Sequence, residues 1–184
     1  MRAFIAIDLE PEIKTALKAL VRDLAATRAD IRWASAQSMH LTLKFLGPID
    51  SGQTARVREI LSHIAGHHPP FPLRLERTGA FPSEQNPRVL WVGFSSEPKL
   101  LALQKEIDDS LETEGFERER RAFTPHLTLG RVKGPDRVAK AMLELGKHRD
   151  DSFGSMTVRR VALFESRLEP QGAEYRIDFE AGLS

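Results

Sequence analysis

No cysteine occurs in the 184 residues of this chain. That absence excludes disulfides, thiolate nucleophiles and cysteine-ligated zinc, and it suits a reducing compartment, so a cytoplasmic location is expected. Long apolar runs are missing as well. No stretch of 18 or more hydrophobic residues is present, so no membrane span is expected. The opening MRAFIAIDLEPE turns acidic too soon for a secretory signal. Excess charge of one sign is also lacking: 27 Lys and Arg stand against 26 Asp and Glu, a net of +1. A protein that grips a long nucleic-acid tract carries a basic surplus. What this balance leaves open is a nucleic-acid end or a small phosphorylated ligand.

What is present is repetition. The tetrapeptide HLTL occurs at residues 40–43 and again, 86 residues on, at 126–129. In a β-strand successive side chains alternate between faces, so each copy sets His and Thr on one face, about 7 Å apart, and two leucines on the other. The leucines suit a core and the His–Thr pair suits an anion.

Similar elements surround each copy. Residues 2–9 read as a strand. Pro11 then opens a helix with Ile13, Ala16, Leu17, Leu20, Val21 and Leu24 on one face, ending near residue 28. Residues 31–35 are extended and 40–46 form the first HLTL strand. Asp50 or Ser51 caps a second helix that ends at Gly66. A strand over 71–77, a loop TGAFPSEQNP and a strand over 88–94 follow. Ser96 caps a third helix, which stops at Gly115. Residues 123–132 hold the second HLTL, Asp136 opens a fourth helix ended by Gly146, and 157–164 and 175–179 read as strands.

Displaced by 86 residues, the halves agree without a gap: Arg2 falls on Arg88, Leu17 on Leu103, Arg32 on Arg118 and Asp50 on Asp136. The expected fold is α+β, one domain over 1–184 built as two lobes from repeats of about 1–86 and 87–184. Two antiparallel or mixed sheets flanked by helices would surround a central cleft with pseudo-twofold symmetry.

On opposite walls of one cleft, two imidazoles would face two hydroxyls. A neutral His is a base and a cationic His an acid near neutral pH. That pair suits displacement at phosphorus, with Thr42 and Thr128 donating to the non-bridging oxygens. Neither HLTL contains a carboxylate, so no metal and no cofactor is expected. The residues alone leave His40 and His126 interchangeable, and a site that only binds an anion would use the same groups.

The flanks carry more. RAFIAI at the start, Trp33 followed by MHLTLKFLG, AFP at 80–82, RVLWVGF, RAFTPHLTLGRV at 121–132, Glu165-Ser166 and Tyr175 together resemble the 2H phosphoesterase superfamily. Within it, the chain is similar to the RNA 2′,3′-cyclic phosphodiesterases also called the 2′-5′ RNA ligase family. The resemblance implies metal-independent hydrolysis of a terminal 2′,3′-cyclic phosphate to a 2′-phosphate, with His40 as proton donor and His126 as proton acceptor. It also implies a reverse 2′-5′ ligation, and as partner an RNA with a cyclic phosphate end or a small cyclic nucleotide, with no membrane involved. Oligomeric state is silent, and a monomer is the default.

Further candidates are weaker by position. Arg131 would neutralise phosphate if a bulge at Gly130 turned it off the leucine face. Lys44 shares the parity of His40 and Thr42. Phe4, Trp33 and Phe123 are candidates to stack a base. His63 and His67 have metal-clamp spacing, but with His68, before Pro69-Pro70, they read as capping residues. His148 has no evident partner, and GFERERR at 115–121 reads as a solvated loop.

Overall fold

The computed structural model describes residues 1–170 and 172–184. Strand β1 (Arg2–Asp8) is buried on both faces. Ala3, Ile5 and Ile7 enter the main core, while Phe4 and Ala6 join Ala162 and Phe164 in a second, smaller cluster. Helix α1 (Pro11–Ala25) starts on Pro11, whose fixed φ suits a first turn, and buries Ile13, Leu17, Leu20 and Leu24. After β2 (Ile31–Trp33) and β3 (His40–Pro48), helix α2 (Ser51–Ala65) opens on a capping box. There the Asp50 carboxylate accepts from the Gln53 backbone N–H, and the Gln53 side chain accepts from that of Asp50. The chain continues through β4 (Phe71–Pro82), β5 (Pro87–Phe94), α3 (Pro98–Glu112), β6 (His126–Val132), α4 (Val138–Gly146), β7 (Ser152–Val158), β8 (Arg160–Glu169) and β9 (Gly172–Gly182).

Two antiparallel sheets result, β3-β1-β8-β9 and β2-β6-β5-β4-β7, so the chain is α+β as expected. In the 86-residue register β4 corresponds to β8, and each joins the other repeat. β4 of the first repeat pairs with β5 of the second, and β8 of the second pairs with β1 of the first. The halves are thereby interlocked, and one main core draws on both.

Several local expectations change. The segment expected as a loop after Arg77 continues as β4 to Pro82, because its ladder with β5 persists to the pair Pro82–Pro87. Residues 157–164, expected as one strand, are two: β7 pairs with β4 in one sheet and β8 with β1 in the other, the break falling at Arg159. The cap of α3 is Glu97 rather than Ser96, its carboxylate accepting from the Lys99 N–H. Helix α4 begins at Val138, after Arg137 in a left-handed conformation, and the Asp136 carbonyl instead accepts from the Asp30 N–H. No described helix is long and apolar enough to cross a membrane.

Candidate active site

Strand β3 is an edge of the four-stranded sheet, and β6 lies one in from the edge of the other; the two strands touch where the sheets meet. In both, alternation holds through the tetrapeptide. Leu41 and Leu43, like Leu127 and Leu129, are buried in the core, and His40, Thr42, His126 and Thr128 are partly exposed.

Just past each Thr the ladder slips. Ala6 pairs with Thr42 but Ile5 pairs with Lys44, and Trp91 pairs with Thr128 but Leu90 with Gly130. Each slip leaves one leucine, Leu43 or Leu129, as the extra residue. Beyond it the parity is inverted. Lys44 turns to the core side, where its ammonium pairs with Asp108 of α3 and donates to the Glu117 carbonyl at 2.8 Å. Its sequence parity with His40 is therefore misleading. Phe45 and Arg131 turn the other way. Phe45 pairs with Phe4, whose ring stacks on His40, and Arg131 pairs with Val89, on the same face as Trp91 and Thr128. The bulge needed to bring Arg131 round is present.

Each histidine rests on aromatic rings. His40 stacks on Phe4 (centroids 4.5 Å) and Phe164 (5.4 Å), with Tyr175 edge-on at 5.0 Å. Burial pushes its pKa down to about 4, against the opposing pull of a hydrogen bond with the Ser38 backbone and of the nearby Asp8 carboxylate. Asp8 is its cross-strand neighbour and is itself paired with Lys14 at 2.9 Å. A groove of about 540 Å³ opens beside this ring, lined among others by Lys14, Tyr175 and Arg176.

His126 meets the Phe81 ring edge-on at 5.0 Å, and Phe81 packs on Trp91 at 5.4 Å. Its Nδ1 lies 2.7 Å from the Thr124 carbonyl oxygen. A carbonyl can only accept, so Nδ1 carries the hydrogen and the neutral ring presents a bare Nε2 lone pair.

The other candidates fall elsewhere. Phe4 is only 3% exposed and has no open face for a base. Trp33 packs against the core over Gly130, whose missing side chain would meet its ring at 2.7 Å. Phe123 also packs partly buried against the core. His148 has a partner after all, the Asp151 carboxylate at 2.8 Å. In the 115–121 run, Arg118 is held by Asp109 and Glu112. Reading the sequence missed Phe45, 74% exposed, and Arg32, which pairs with Arg131 across β2 and β6. Phe81 and Trp91 entered only as parts of the AFP and RVLWVGF motifs, and that Phe81 supports His126 and Trp91 supports Phe81 was not read. The 86-residue register links Phe45 to Arg131, and that was the available signal.

Comparison with known proteins places the chain in a family. Residues 9–169 match the model of the 2′-5′ RNA ligase superfamily. The chain is similar to proteins named RNA 2′,3′-cyclic phosphodiesterase from Archaeoglobus fulgidus (34% identical over 176 residues, 96% of this chain and 97% of that protein) and Thermotoga maritima (33% over 188 residues, 100% and 98%). Among solved structures, TT0787 of Thermus thermophilus superposes with a TM-score of 0.81 at 28% identity, covering 100% of this chain and 98% of that one. Escherichia coli LigT complexed with 3′-AMP has a TM-score of 0.76 at 24% identity, with the same coverage.

Proposed function

The chain belongs to the 2′-5′ RNA ligase superfamily, and from that premise we propose that it is an RNA 2′,3′-cyclic phosphodiesterase working through His40 and His126 without a catalytic metal. The observation that carries the mechanism is the hydrogen bond from His126 Nδ1 to the Thr124 carbonyl. It leaves Nε2 as a fixed base on the same face as Thr128.

In the proposed reaction the 2′,3′-cyclic phosphate lies between the two HLTL strands. His126 Nε2 takes a proton from water, the water oxygen forms a bond to phosphorus, and the bond from phosphorus to O3′ breaks. His40 gives its proton to O3′, so the products are a 2′-phosphate and a 3′-hydroxyl. Thr42 and Thr128 donate to the non-bridging oxygens, and Arg131 neutralises their charge. In the free protein His40 is neutral at pH 7. The negative phosphate is what brings a proton onto it, since a nearby opposite charge favours the charged ring. A proton held on an imidazole of low intrinsic pKa is readily given up, which suits a leaving alkoxide. A 5′-hydroxyl in place of water would make a 2′-5′ bond by the same steps, and the abundance of water favours hydrolysis.

Two exposed rings can stack nucleobases: Tyr175, edge-on to His40, and Phe45, further along β3 against the Phe4 ring on which His40 rests. The groove lined by Lys14, Tyr175 and Arg176 opens beside His40 and can take the adjoining phosphates. The deciding experiment digests an RNA oligomer ending in 2′,3′-cyclic phosphate in excess EDTA. A 2′-phosphate product is expected. A 3′-phosphate would overturn the assignment of the leaving oxygen, and no turnover in EDTA would overturn metal independence.

A further inference from the structure

Helix α2 ends in a histidine-rich turn. His63 lies in its last turn, His67 and His68 follow Gly66, and Pro69-Pro70 then lead into β4. Consecutive side chains ordinarily diverge, yet here the His67 and His68 rings are 5.3 Å apart and both meet one carboxylate. Glu106 of α3 places Oε1 2.7 Å from His67 Nε2 and Oε2 2.5 Å from His68 Nε2. None of these groups belongs to the HLTL strands or to the rings under them.

We propose that His67, His68 and Glu106 form a binding site for a divalent transition-metal ion, zinc by preference, that clips the α2–β4 connector to α3. One donor atom from each of the three residues lies within 4.8 Å of the other two. In a tetrahedral zinc site, with bonds of about 2.0–2.1 Å, neighbouring donors stand about 3.3 Å apart. The two carboxylate–imidazole contacts, 2.7 and 2.5 Å, therefore need to lengthen by less than about 1 Å to admit the ion in place of the shared hydrogens. Donors as far apart as 4.8 Å need to close by up to about 1.5 Å. Two imidazoles and one carboxylate suit zinc and its neighbours, whereas magnesium and calcium prefer oxygen donors throughout. The position helps as well: the C-terminal carbonyls of α2 make this end of the helix favourable to a cation.

The fourth position is open to water or to His63, whose ring stands 5.2 Å from that of His67. The sequence favours capping over a metal clamp for these histidines, since Glu106 reaches them only in the fold, across 38 residues of sequence. Two residues further along α3, Asp108 holds Lys44 of β3, so an ion here would steady the helix that backs the first HLTL strand.

The test uses the untagged full chain, stripped of metal and titrated with zinc against a chromophoric chelator, with Tm followed in parallel. One equivalent should bind saturably and raise Tm. His67→Ala, His68→Ala and the near-isosteric Glu106→Gln should each weaken binding at least about 10-fold, in line with the loss of one ligand, while hydrolysis of a cyclic nucleotide is unchanged. His40→Ala and His126→Ala should bind zinc as the parent does. Absence of saturable binding, unchanged affinity in Glu106→Gln, or zinc binding lost in His126→Ala would each overturn the site. These readouts do not depend on the acid–base assignment, so either proposal can fail alone.

Discussion

Phe45 and Arg131 stand 86 residues apart at the same place in the two repeats, each turned onto the His–Thr face by a one-residue slip just before it. The sheets thus present two similar frames with different terminal chemistry: an exposed ring just past Thr42, packed on Phe4, and a guanidinium just past Thr128. An apolar ring suits a nucleobase and a planar cation suits a phosphate, so in the proposed reaction the two walls would give a bound RNA end a direction.

Arg131→Ala should therefore act on the transition state. Loss of a charge-assisted hydrogen bond is worth about 1.5–3 kcal/mol, or about 10- to 150-fold in kcat/KM. Steady-state kinetics on a cyclic-phosphate oligomer would show it, with Arg131→Lys recovering part of the loss. Phe45→Ala should mainly raise KM on the oligomer, by about 5-fold or more from lost stacking, and leave kcat nearly intact. A large fall in kcat for Phe45→Ala with unchanged KM would contradict the division.

His40 and His126 should each be indispensable. Replacing either by alanine should lower kcat at least about 100-fold, the low end for a general acid or base. Retention of most activity by either variant would remove it from the mechanism.

The depressed pKa of His40 gives two pH effects. As the donor, it should make kcat/KM fall with rising pH at a lower pH than kcat does, because the bound phosphate raises the pKa of the ring in the complex. A limb that rises through the same region would instead make His40 the base. The second effect is on stability. The folded value of about 4 lies below the ordinary 6.5, so the unfolded chain takes up this proton first. Its contribution is complete above pH 6.5 and is lost as pH falls toward 4. The gap corresponds to about 3 kcal/mol, and the partial exposure of the ring trims that to about 1–2 kcal/mol. Urea unfolding at pH 7 and pH 4 should show His40→Gln losing less stability than the parent over that interval.

What sequence reading reached, and what it did not, follows from locality. The parity of HLTL is local, so the placement of the two histidines, two threonines and four leucines was legible. The Arg131 outcome was legible only as a condition, since a bulge depends on the partner strand. Lys44 shows the same limit: its parity with His40 held only until the ladder slipped. The exchange of β4 and β8 between repeats is invisible to any window of sequence. Val158 and Arg160 look like one strand although the chain passes from one sheet to the other between them. Gly79 and Pro82 read as loop residues in the sequence because glycine and proline usually break strands.

The buried pair of Lys44 and Asp108 is a stability element rather than a phosphate contact. Their side chains are 3% and 9% exposed. Lys44→Ala would leave a buried carboxylate unpaired and should cost about 3–5 kcal/mol in denaturant unfolding. Lys44→Met combined with Asp108→Leu should recover most of that loss, since no buried charge remains. If Lys44→Ala instead kept full stability and lost activity, Lys44 would belong to the site.

Gly79 faces Trp91 across the β4–β5 ladder, and a Cβ there would lie 2.3 Å from the indole Cζ2. No real contact is that short, so Gly79→Ala must push the indole outward. The indole has little room, being packed on Phe81 and close to the backbone at Gly93. Overpacking of this kind costs about 1–3 kcal/mol. Trp91 is also the cross-strand neighbour of Thr128, and Phe81 holds the edge of His126. The displacement should therefore reach the base and the phosphate donor together. Gly79→Ala should lower Tm and cut kcat about 10-fold or more, because small misplacements of catalytic groups are costly. Gly79→Ala with Trp91→Phe should regain stability as the smaller ring makes room. Loss of activity in the single variant with an unchanged Tm would show that Gly79 acts by some route other than the indole.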